Sequence, residues 1–483
     1  MSNNLNPQIK NAAKWSIITE VAAKLVTPIS SMVLARLLTP EAFGIVATLT
    51  MIISFAEIFT DAGFQKYLIQ HDFKNNEDRN QNTNVAFWSN LLMSLVIWGI
   101  IFFFREPLSR IVGNPGLGTA VAVACISIPL VSFSSIQIAL YKRDFDFKTL
   151  FKVRIVGILI PIFITIPLAF FLKSFWAIIC GQIVRDIVNA ILLTHYSKWK
   201  PTLYYSFKKL KGMIPFTFWN MLESISIWAT NYLDIFIVGT CLSTFYLGIY
   251  KTSMTTVAQI SSLITSTLTP VVFSTLSRLQ NDRSQFDSMF FNFQKIVGFI
   301  VLPLGICFLF YSDLLTTVLL GNQWGEAANF IGLYGWTLSF QIVFSYLCSE
   351  SYRALGKPKL SMLVQILYII AFLPIIYYSA NRSFELLYVS RSFMNLAMIV
   401  INLIIMFIFI GISPYTMFKR MFPYLVSALL MGGFAFITKS IIQNTLFTFV
   451  SLLFSSLIYV GSLFFFFPKE GKNLIPLLNN LKK

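Results

Sequence analysis

Residues 85–104 read VAFWSNLLMSLVIWGIIFFF, twenty positions without a charged side chain, bounded by Arg79 upstream and Arg105 immediately downstream. At about 1.5 Å per residue, a helix of that length spans the roughly 30 Å of a bilayer's hydrocarbon core. The run is continuously apolar instead of alternating. It therefore suits a helix, whose backbone hydrogen bonds close within its own segment, and not a barrel strand. Similar runs fill most of the chain, and they predict helices at 15–36, 42–62, 85–104, 118–139, 150–172, 174–196, 213–239, 246–270, 290–311, 327–348, 360–380, 385–410, 420–438 and 446–467. Composition points the same way. A soluble protein of 483 residues that is 56% hydrophobic and 12% charged could not cover its own surface, whereas lipid accepts Phe, Leu and Ile on the outside. The expected fold class is an all-α, polytopic membrane protein with about 14 transmembrane helices. The Asn-rich start, Met1 to Asn11, has no short apolar core followed by a cleavage site and is read as something other than a signal peptide.

The short loops alternate in charge. Following helices 2, 4, 6, 8 and 10 come Lys66, Lys74 and Arg79; Lys142, Arg143 and Lys148; Lys198, Lys200, Lys208, Lys209 and Lys211; Arg278 and Arg283; and Arg353, Lys357 and Lys359. The odd-numbered loops hold only Arg36, Arg105, Arg110, Lys173, Arg382 and Lys439. By the positive-inside rule, both termini are expected in the cytoplasm. The net charge of +17 is thus spread along cytoplasmic rims beside anionic head groups, which makes membrane lipids the expected partners and nucleic acid not one. Cys125, Cys180, Cys241, Cys307 and Cys348 lie singly in or at the ends of helices and read as packing residues, neither bridged nor metal-binding.

Enzymatic chemistry is poorly provided for. The two histidines, His71 and His195, sit near cytoplasmic loops, and no phosphate-cradling glycine loop, HExxH pattern or nucleophile elbow occurs. No loop is longer than roughly 25 residues, too short to fold a catalytic domain. A membrane glycosyltransferase or polymerase would carry a large external loop with carboxylates or arginines, so transport is the favoured class, with no cofactor expected.

A trace of duplication runs through the chain. Leu38-Thr39-Pro40-Glu41-Ala42-Phe43-Gly44-Ile45 follows helix 1, and Leu242-Ser243-Thr244-Phe245-Tyr246-Leu247-Gly248-Ile249 follows helix 7, in register at an offset of 204. Tyr141-Lys142-Arg143 and Tyr352-Arg353 open the basic loops after helices 4 and 10. A six-helix unit repeated once would place both matches there, and an even number of helices leaves the two units with the same orientation in the membrane.

The run from Ala35 to Val46, with Asp61-Ala62-Gly63-Phe64 and Leu68-Ile69-Gln70, is similar to the first two helices of bacterial polysaccharide transporters. Asn231-Tyr232-Leu233-Asp234, Val238-Gly239 and Leu247-Gly248-Ile249-Tyr250 are similar to their seventh and eighth. The chain therefore resembles the Wzx-type flippases of lipid-linked oligosaccharides, in the superfamily that also holds multidrug exporters and the lipid II flippase. The resemblance implies two six-helix bundles about a central cleft: 1–197 and 213–412, joined by a linker at 198–212, with helices 13 and 14 and a cytoplasmic tail at 413–483. It implies as cargo an undecaprenyl-diphosphate-linked oligosaccharide, flipped by alternating access for O-antigen, lipopolysaccharide or exopolysaccharide synthesis, beside a polysaccharide polymerase and assembly proteins. The alternatives are a cation-coupled multidrug exporter and, further off, the glycosyltransferase class.

The polar residues gather on the helices that line that cleft in the resembled fold. Ser16, Glu20, Lys24, Thr27 and Ser31 on helix 1 fall within about an 80° arc, and Thr50, Ser54, Glu57 and Asp61 on helix 2 within about 60°. Helix 7 aligns Asn220, Glu223, Asn231 and Asp234, and helix 8 aligns Lys251, Thr255, Ser262, Thr265 and Thr269. Intramembrane charges cost roughly 2.5–3.5 kcal/mol each on insertion scales, and so face a watery cavity or one another. Lys24 and Lys251 are the candidates for the diphosphate; Glu20, Glu57, Glu223 and Asp234 for sugar hydroxyls or a coupling H⁺ or Na⁺. The competing reading has Lys24 neutralising Glu20, four residues away, or Glu57. Asp61 is a secondary candidate that equally suits a loop contact. Arg185, with Asp186, Gln182 and Asn189 on one face of helix 6, reads as a structural pair before a phosphate ligand. Trp219 and Trp228 read as packing residues before sugar platforms, and the Phe runs as lipid-facing.

Overall fold

The computed structural model describes residues 5–61, 63–441 and 444–472. Among them the chain forms fourteen long helical rods and no strand: α1 Leu5–Leu37, α2 Pro40–Asp61, α3 Asn76–Phe103, α4 Gly118–Arg143, α5 Phe147–Leu172, α6 Trp176–Tyr196, α7 Phe207–Cys241, α8 Thr244–Arg278, α9 Arg283–Leu319, α10 Ala327–Ala354, α11 Pro358–Ala380, α12 Phe384–Ile410, α13 Pro414–Ile441 and α14 Thr445–Phe466. Thirteen are long and apolar enough to cross a membrane. The fourteenth, α7, is not among them and carries Lys208, Lys209, Lys211, Glu223 and Asp234 along one rod. The protein is a multi-pass, all-α membrane protein.

The polar breaks in the sequence act as caps. Asn75 accepts from the Asp78 amide at 2.7 Å and starts α3, Asp146 accepts from Thr149 to start α5, and Asp282 and Ser383 do the same for α9 and α12. Each satisfies an amide that the first helical turn leaves without a partner. Several rods are less regular than their continuous hydropathy suggests. α4 breaks at Cys125 and Ile126, α5, α10 and α12 each contain a widened π turn, and α9 kinks at Tyr311. The α5 widening begins at Pro161, whose ring removes a donor from the ladder. Two short helices, Phe64–Gln70 and Arg105–Ile111, lie between the long rods.

The chain divides into two compact units, Met1–Lys251 and Thr252–Lys483. The first builds its core from clusters around Ile128, Phe87 and Leu38; the second has one large cluster that includes Phe290, Phe344, Tyr352 and Tyr424. The weak Tyr-Arg echo has a structural counterpart. Tyr141, at the end of α4, donates its hydroxyl to the Leu193 carbonyl of α6 at 3.2 Å, and Tyr352, at the end of α10, donates to the Asn402 carbonyl of α12 at 3.2 Å. A tyrosine at the same place in each unit thus ties the fourth helix of a repeat to its sixth.

Lipid removes the hydrophobic drive between helices, so close packing of small residues takes its place. α9 and α10 show it: a Cβ on Gly335 would lie 2.4 Å from the Phe308 ring, and one on Gly305 2.8 Å from the Ser339 Cβ. Large apolar side chains point outward, with Phe103 82% and Phe465 80% exposed. All five cysteines are free. Gly335→Val should therefore overpack the α9–α10 seam by about 1–3 kcal/mol. Thermal unfolding of the detergent-solubilised protein, followed by size-exclusion chromatography, is expected at lower temperature for Gly335→Val and unchanged for Gly433→Val, where nothing lies within 4 Å of the added carbon.

Candidate functional site

The site is described within the first unit, which ends at Lys251. Its frame is α2 running beside α7, joined at three levels. At the level of the basic loops, Gly63 sits where any Cβ would strike Thr217 at 2.1–2.4 Å, and Lys66 pairs with Glu223 at 3.0 Å. At mid-height the Trp228 indole N–H donates to the Met51 carbonyl at 3.3 Å and to Ser54 Oγ at 3.2 Å, and its ring lies against Phe55 at 4.8 Å.

At the opposite end, the two duplicated turns meet each other. A Cβ on Gly44 would lie 1.9 Å from the Thr244 carbonyl oxygen, and a Cβ on Gly248 would lie 1.8 Å from the Pro40 carbonyl oxygen. The offset of 204 relates Pro40 to Thr244 and Gly44 to Gly248, so one contact is the image of the other. Only glycine permits backbone to approach backbone so closely. Asn114 reinforces this end by donating to Thr48 Oγ1 at 2.9 Å.

Between the levels lies a charged cluster. Asp234 is 6% exposed and accepts hydrogen bonds from the Tyr250 hydroxyl at 2.9 Å and from the Ile235 amide at 2.8 Å. The Lys251 ammonium lies 5.6 Å from the centre of the Tyr232 ring and within electrostatic reach of Asp234, without forming a direct ion pair. Tyr232 in turn stacks on Trp228 at 5.8 Å, so Lys251, Tyr232 and Trp228 link α8 through α7 to α2. A half-buried cation resting on a π face, with a buried carboxylate nearby, can receive an anionic group at less cost than an isolated ammonium could.

The other expected residues are placed as follows. Glu20 pairs with Arg154 of α5 at 3.3 Å, both about half exposed. The reading in which Lys24 neutralises Glu20 is therefore not what the structure adopts: among the described residues, Lys24 is half-buried and has no carboxylate within ion-pairing distance. Glu57 is half-buried, within electrostatic reach of Cys125. Asn220 and Asn231 turn their amides back to the Phe216 and Ile227 carbonyls at 2.8 and 2.9 Å, bonds internal to α7. Arg185 pairs with its neighbour Asp186 at 3.3 Å, the latter 5% exposed, as the structural reading of helix 6 expects. The side chains of Asp61 and Trp219 lie outside the described residues. Trp228 packs against α2, as read. No contact role was read from the sequence for Tyr250, Tyr232, Lys66 or Arg154. Tyr250 stands inside a quoted motif, yet nothing in its spacing shows that its hydroxyl reaches back sixteen residues to Asp234. Among the described residues, no group of three or more His, Cys, Asp or Glu side chains is placed to hold a metal ion.

The chain is similar to several known proteins. A family model described as "Polysaccharide biosynthesis protein" matches residues 33–329. An uncharacterized membrane protein in the cps region of Klebsiella pneumoniae is 21% identical over 76% of this chain and 76% of its own. The succinoglycan biosynthesis transport protein ExoT of Rhizobium meliloti is 22% identical over 66% of this chain and 64% of its own, and the lipopolysaccharide biosynthesis protein WzxC of Escherichia coli 20% identical over 67% and 65%. Among solved structures, the lipid II flippase MurJ in an inward closed conformation superposes with a TM-score of 0.71 at 14% identity, covering 94% of this chain and 99% of that one. An inward-facing multidrug transporter of the MATE family gives 0.60 at 11% identity over 84% and 96%. At such identities, the structural matches speak for the fold alone.

The contact between the turns has a direct test. Leu247, fully buried beside Gly248, is replaced by Cys in a chain stripped of its five native cysteines. This thiol should resist a water-soluble maleimide. Adding Gly44→Val should raise its labelling rate on the order of tenfold, as about 1.4 kcal/mol on an opening equilibrium would. Equal rates with and without the valine would show that the two glycines do not hold the turns together.

Proposed function

The chain belongs to the polysaccharide biosynthesis protein family, and from that membership and the geometry above we propose that it flips an undecaprenyl-diphosphate-linked oligosaccharide from the cytoplasmic to the outer leaflet. The observation that carries the reading is the reciprocal contact of Gly44 with Thr244 and of Gly248 with Pro40, with a buried, charged cluster beyond it. A contact built from two symmetry-related glycines is self-complementary and can open as a unit, which is what alternating access requires of one end of a transporter. The titratable and cationic groups, Asp234, Lys251 and Lys24, then lie along helices that such an opening would expose in turn.

In this reading both termini are cytoplasmic, the membrane is the bacterial plasma membrane, and the contact of the duplicated turns faces outward. The lipid tail stays in the bilayer while the diphosphate meets Lys251 and Lys24, whose charge offsets the cost of drawing a dianion out of water. Asp234, hydrogen-bonded by Tyr250 and close to Lys251, is the best placed group to take up H⁺ or Na⁺. A polymerase and assembly proteins would receive the flipped unit. The fold is shared with multidrug transporters, so it does not separate the two activities; the family favours the polysaccharide.

Orientation is tested with single cysteines in the cysteine-free chain. A membrane-impermeant thiol reagent added to intact cells should label Gly116→Cys and Asn322→Cys but not Lys208→Cys or Ser284→Cys, and the opposite pattern would invert the topology.

Function is tested by deletion. Loss of the protein should abolish the surface polysaccharide, with lipid-linked units accumulating towards the cytoplasm and sensitivity to organic cations unchanged. Lys24→Ala, Lys251→Ala and Asp234→Asn should each slow export by about ten- to a hundredfold, the equivalent of losing one hydrogen bond to a charged group, at normal membrane abundance. Because Lys24 has no ion-pair partner among the described residues, its removal leaves no orphaned carboxylate. Glu20→Gln, whose partner Arg154 is half exposed, should likewise leave abundance near normal. Normal export by all three neutralised variants would remove those residues from the mechanism.

A further inference from the structure

A cavity of about 890 Å³ opens where the start of α3, the end of α4 and the end of α6 meet the segment 197–204. Its walls are ordered. Asn84 accepts the Thr202 amide at 2.8 Å, Trp88 donates to the Thr202 carbonyl at 2.8 Å, and Ser197 donates to the Trp199 carbonyl at 2.8 Å, so the linker is tied against α3. Arg79 and Asp144 close the opposite wall with an ion pair at 2.7 Å. The cavity is therefore built by hydrogen bonds that fold the linker, and it falls within the roughly 300–1,000 Å³ usual for small-ligand sites.

Its lining has an unusual chemical balance for a chain of this charge. Arg79, Lys198 and Lys200 are matched by Glu77, Asp144 and Asp146, so the site is close to neutral although the chain carries +17. A nucleoside diphosphate or an acidic peptide would call for a basic excess that the cavity lacks. Asn76, Asn80 and Asn84 recur at four-residue spacing and share one face of α3. Asn84 is committed to the linker, but among the described residues the side-chain amides of Asn76 and Asn80 make no hydrogen bond. An amide offers both donors and an acceptor, the combination that a vicinal diol needs. Beside them stand Tyr196, 46% exposed, and the partly exposed Trp199. The electron-rich face of such a ring suits the apolar C–H face of a sugar, and its volume excludes water from the contact.

We propose that this cavity binds the saccharide part of the cargo, as an uncharged, hydroxyl-rich ligand, separately from the charged groups of α7 and α8. The proposal rests on the flippase reading and adds to it a recognition site at the end of the molecule where the basic loops lie. Amides and rings select the glycan there, while ammonium groups handle the diphosphate elsewhere in the first unit. It also makes the 197–204 segment, otherwise a linker between α6 and α7, a wall of a binding site.

The test uses the full-length protein in nanodiscs, with the water-soluble glycan released by mild acid from lipid-linked units of cells that lack the protein. Saturation-transfer NMR should show magnetisation passing from the wild-type protein to sugar ring protons. The exposed double variant Asn76→Ala/Asn80→Ala should weaken the signal about tenfold, the effect of losing hydrogen bonds from two amides, and Gly433→Val, where nothing lies within 4 Å of the added carbon, should leave it intact. Folding of each variant is checked by its elution profile. If the double variant binds as well as wild type, or if uridine diphosphate displaces the glycan from the wild type, the cavity is not a saccharide site. If a pool of lipid-linked units accumulates but its glycan receives no magnetisation, the cavity assignment falls and the flippase reading stands. If no pool accumulates, both fall.

Discussion

A backbone amide in hydrocarbon has no water to turn to, and every other feature of this chain is arranged around that fact. Each crossing segment must close its own hydrogen bonds, which makes long helices the available form and pushes caps and turns to the ends, where Asn75, Asp146, Asp282 and Ser383 are found. Where a rod departs from the regular ladder, a side chain or a wider turn takes up the difference. The kink at Tyr311 coincides with the point where its hydroxyl bonds Ser451 and Ser455 of α14. With lipid outside as apolar as the protein inside, contact between rods depends on how closely they fit, and so glycine and serine seams, not large apolar side chains, mark the places where helices meet most tightly.

The same constraint makes the α2–α7–α8 corner informative. A closed seam of backbone at one end, a tryptophan bridge in the middle and an exposed ion pair at the other end differ in strength. Lys66 and Glu223, 49% and 61% exposed, hold each other weakly, as surface pairs do. The glycine contact excludes side chains altogether and tolerates no intermediate spacing: the turns are either seated or apart. Interfaces packed in that way switch between discrete arrangements. The charged cluster of Asp234, Tyr250 and Lys251 lies a few residues from the seam along α7 and α8, so any separation of the turns changes its surroundings first.

Much of this was legible in the sequence, for reasons that differ by residue. Continuous hydropathy placed the rods, because membrane thickness is a fixed ruler, but it missed ends where a helix runs on past its apolar stretch: α1 begins at Leu5 and not near 15, α3 at Asn76 and not near 85, α7 at Phe207 and not near 213, and α9 ends at Leu319 and not near 311. The repeated turns were visible because a backbone contact between glycines constrains sequence tightly, and Gly44 and Gly248 kept the register. The partners of the charges were not visible. Glu20 could be matched with Lys24 on its own helix, since periodicity reports neighbours four residues apart, but Arg154 reaches it from α5 and no one-dimensional pattern records that approach. The π turns and the break at Cys125 were equally hidden, since they alter the ladder without altering which residues are apolar.

The separation of chemistries follows from solvent. A sugar unit is bound through many weak hydrogen bonds and a few ring contacts, and these can be made at a watery rim, where exchanging water for an amide costs little. A diphosphate is bound by charge, and charge acts most strongly where water is scarce, which is also where an unpaired ammonium is hardest to keep. One site cannot serve both needs well, since a dry, cationic pocket would penalise the glycan's hydroxyls and a wet, neutral one would scarcely hold the phosphate. The neutral, amide-lined cavity at the ends of α3, α4 and α6 and the half-buried Lys251 on its aromatic stack are opposite solutions suited to the two ends of one amphipathic cargo. In the proposed reading each end is held at its own site, so neither site needs to bind tightly, and a carrier that must release what it lifts gains from that weakness.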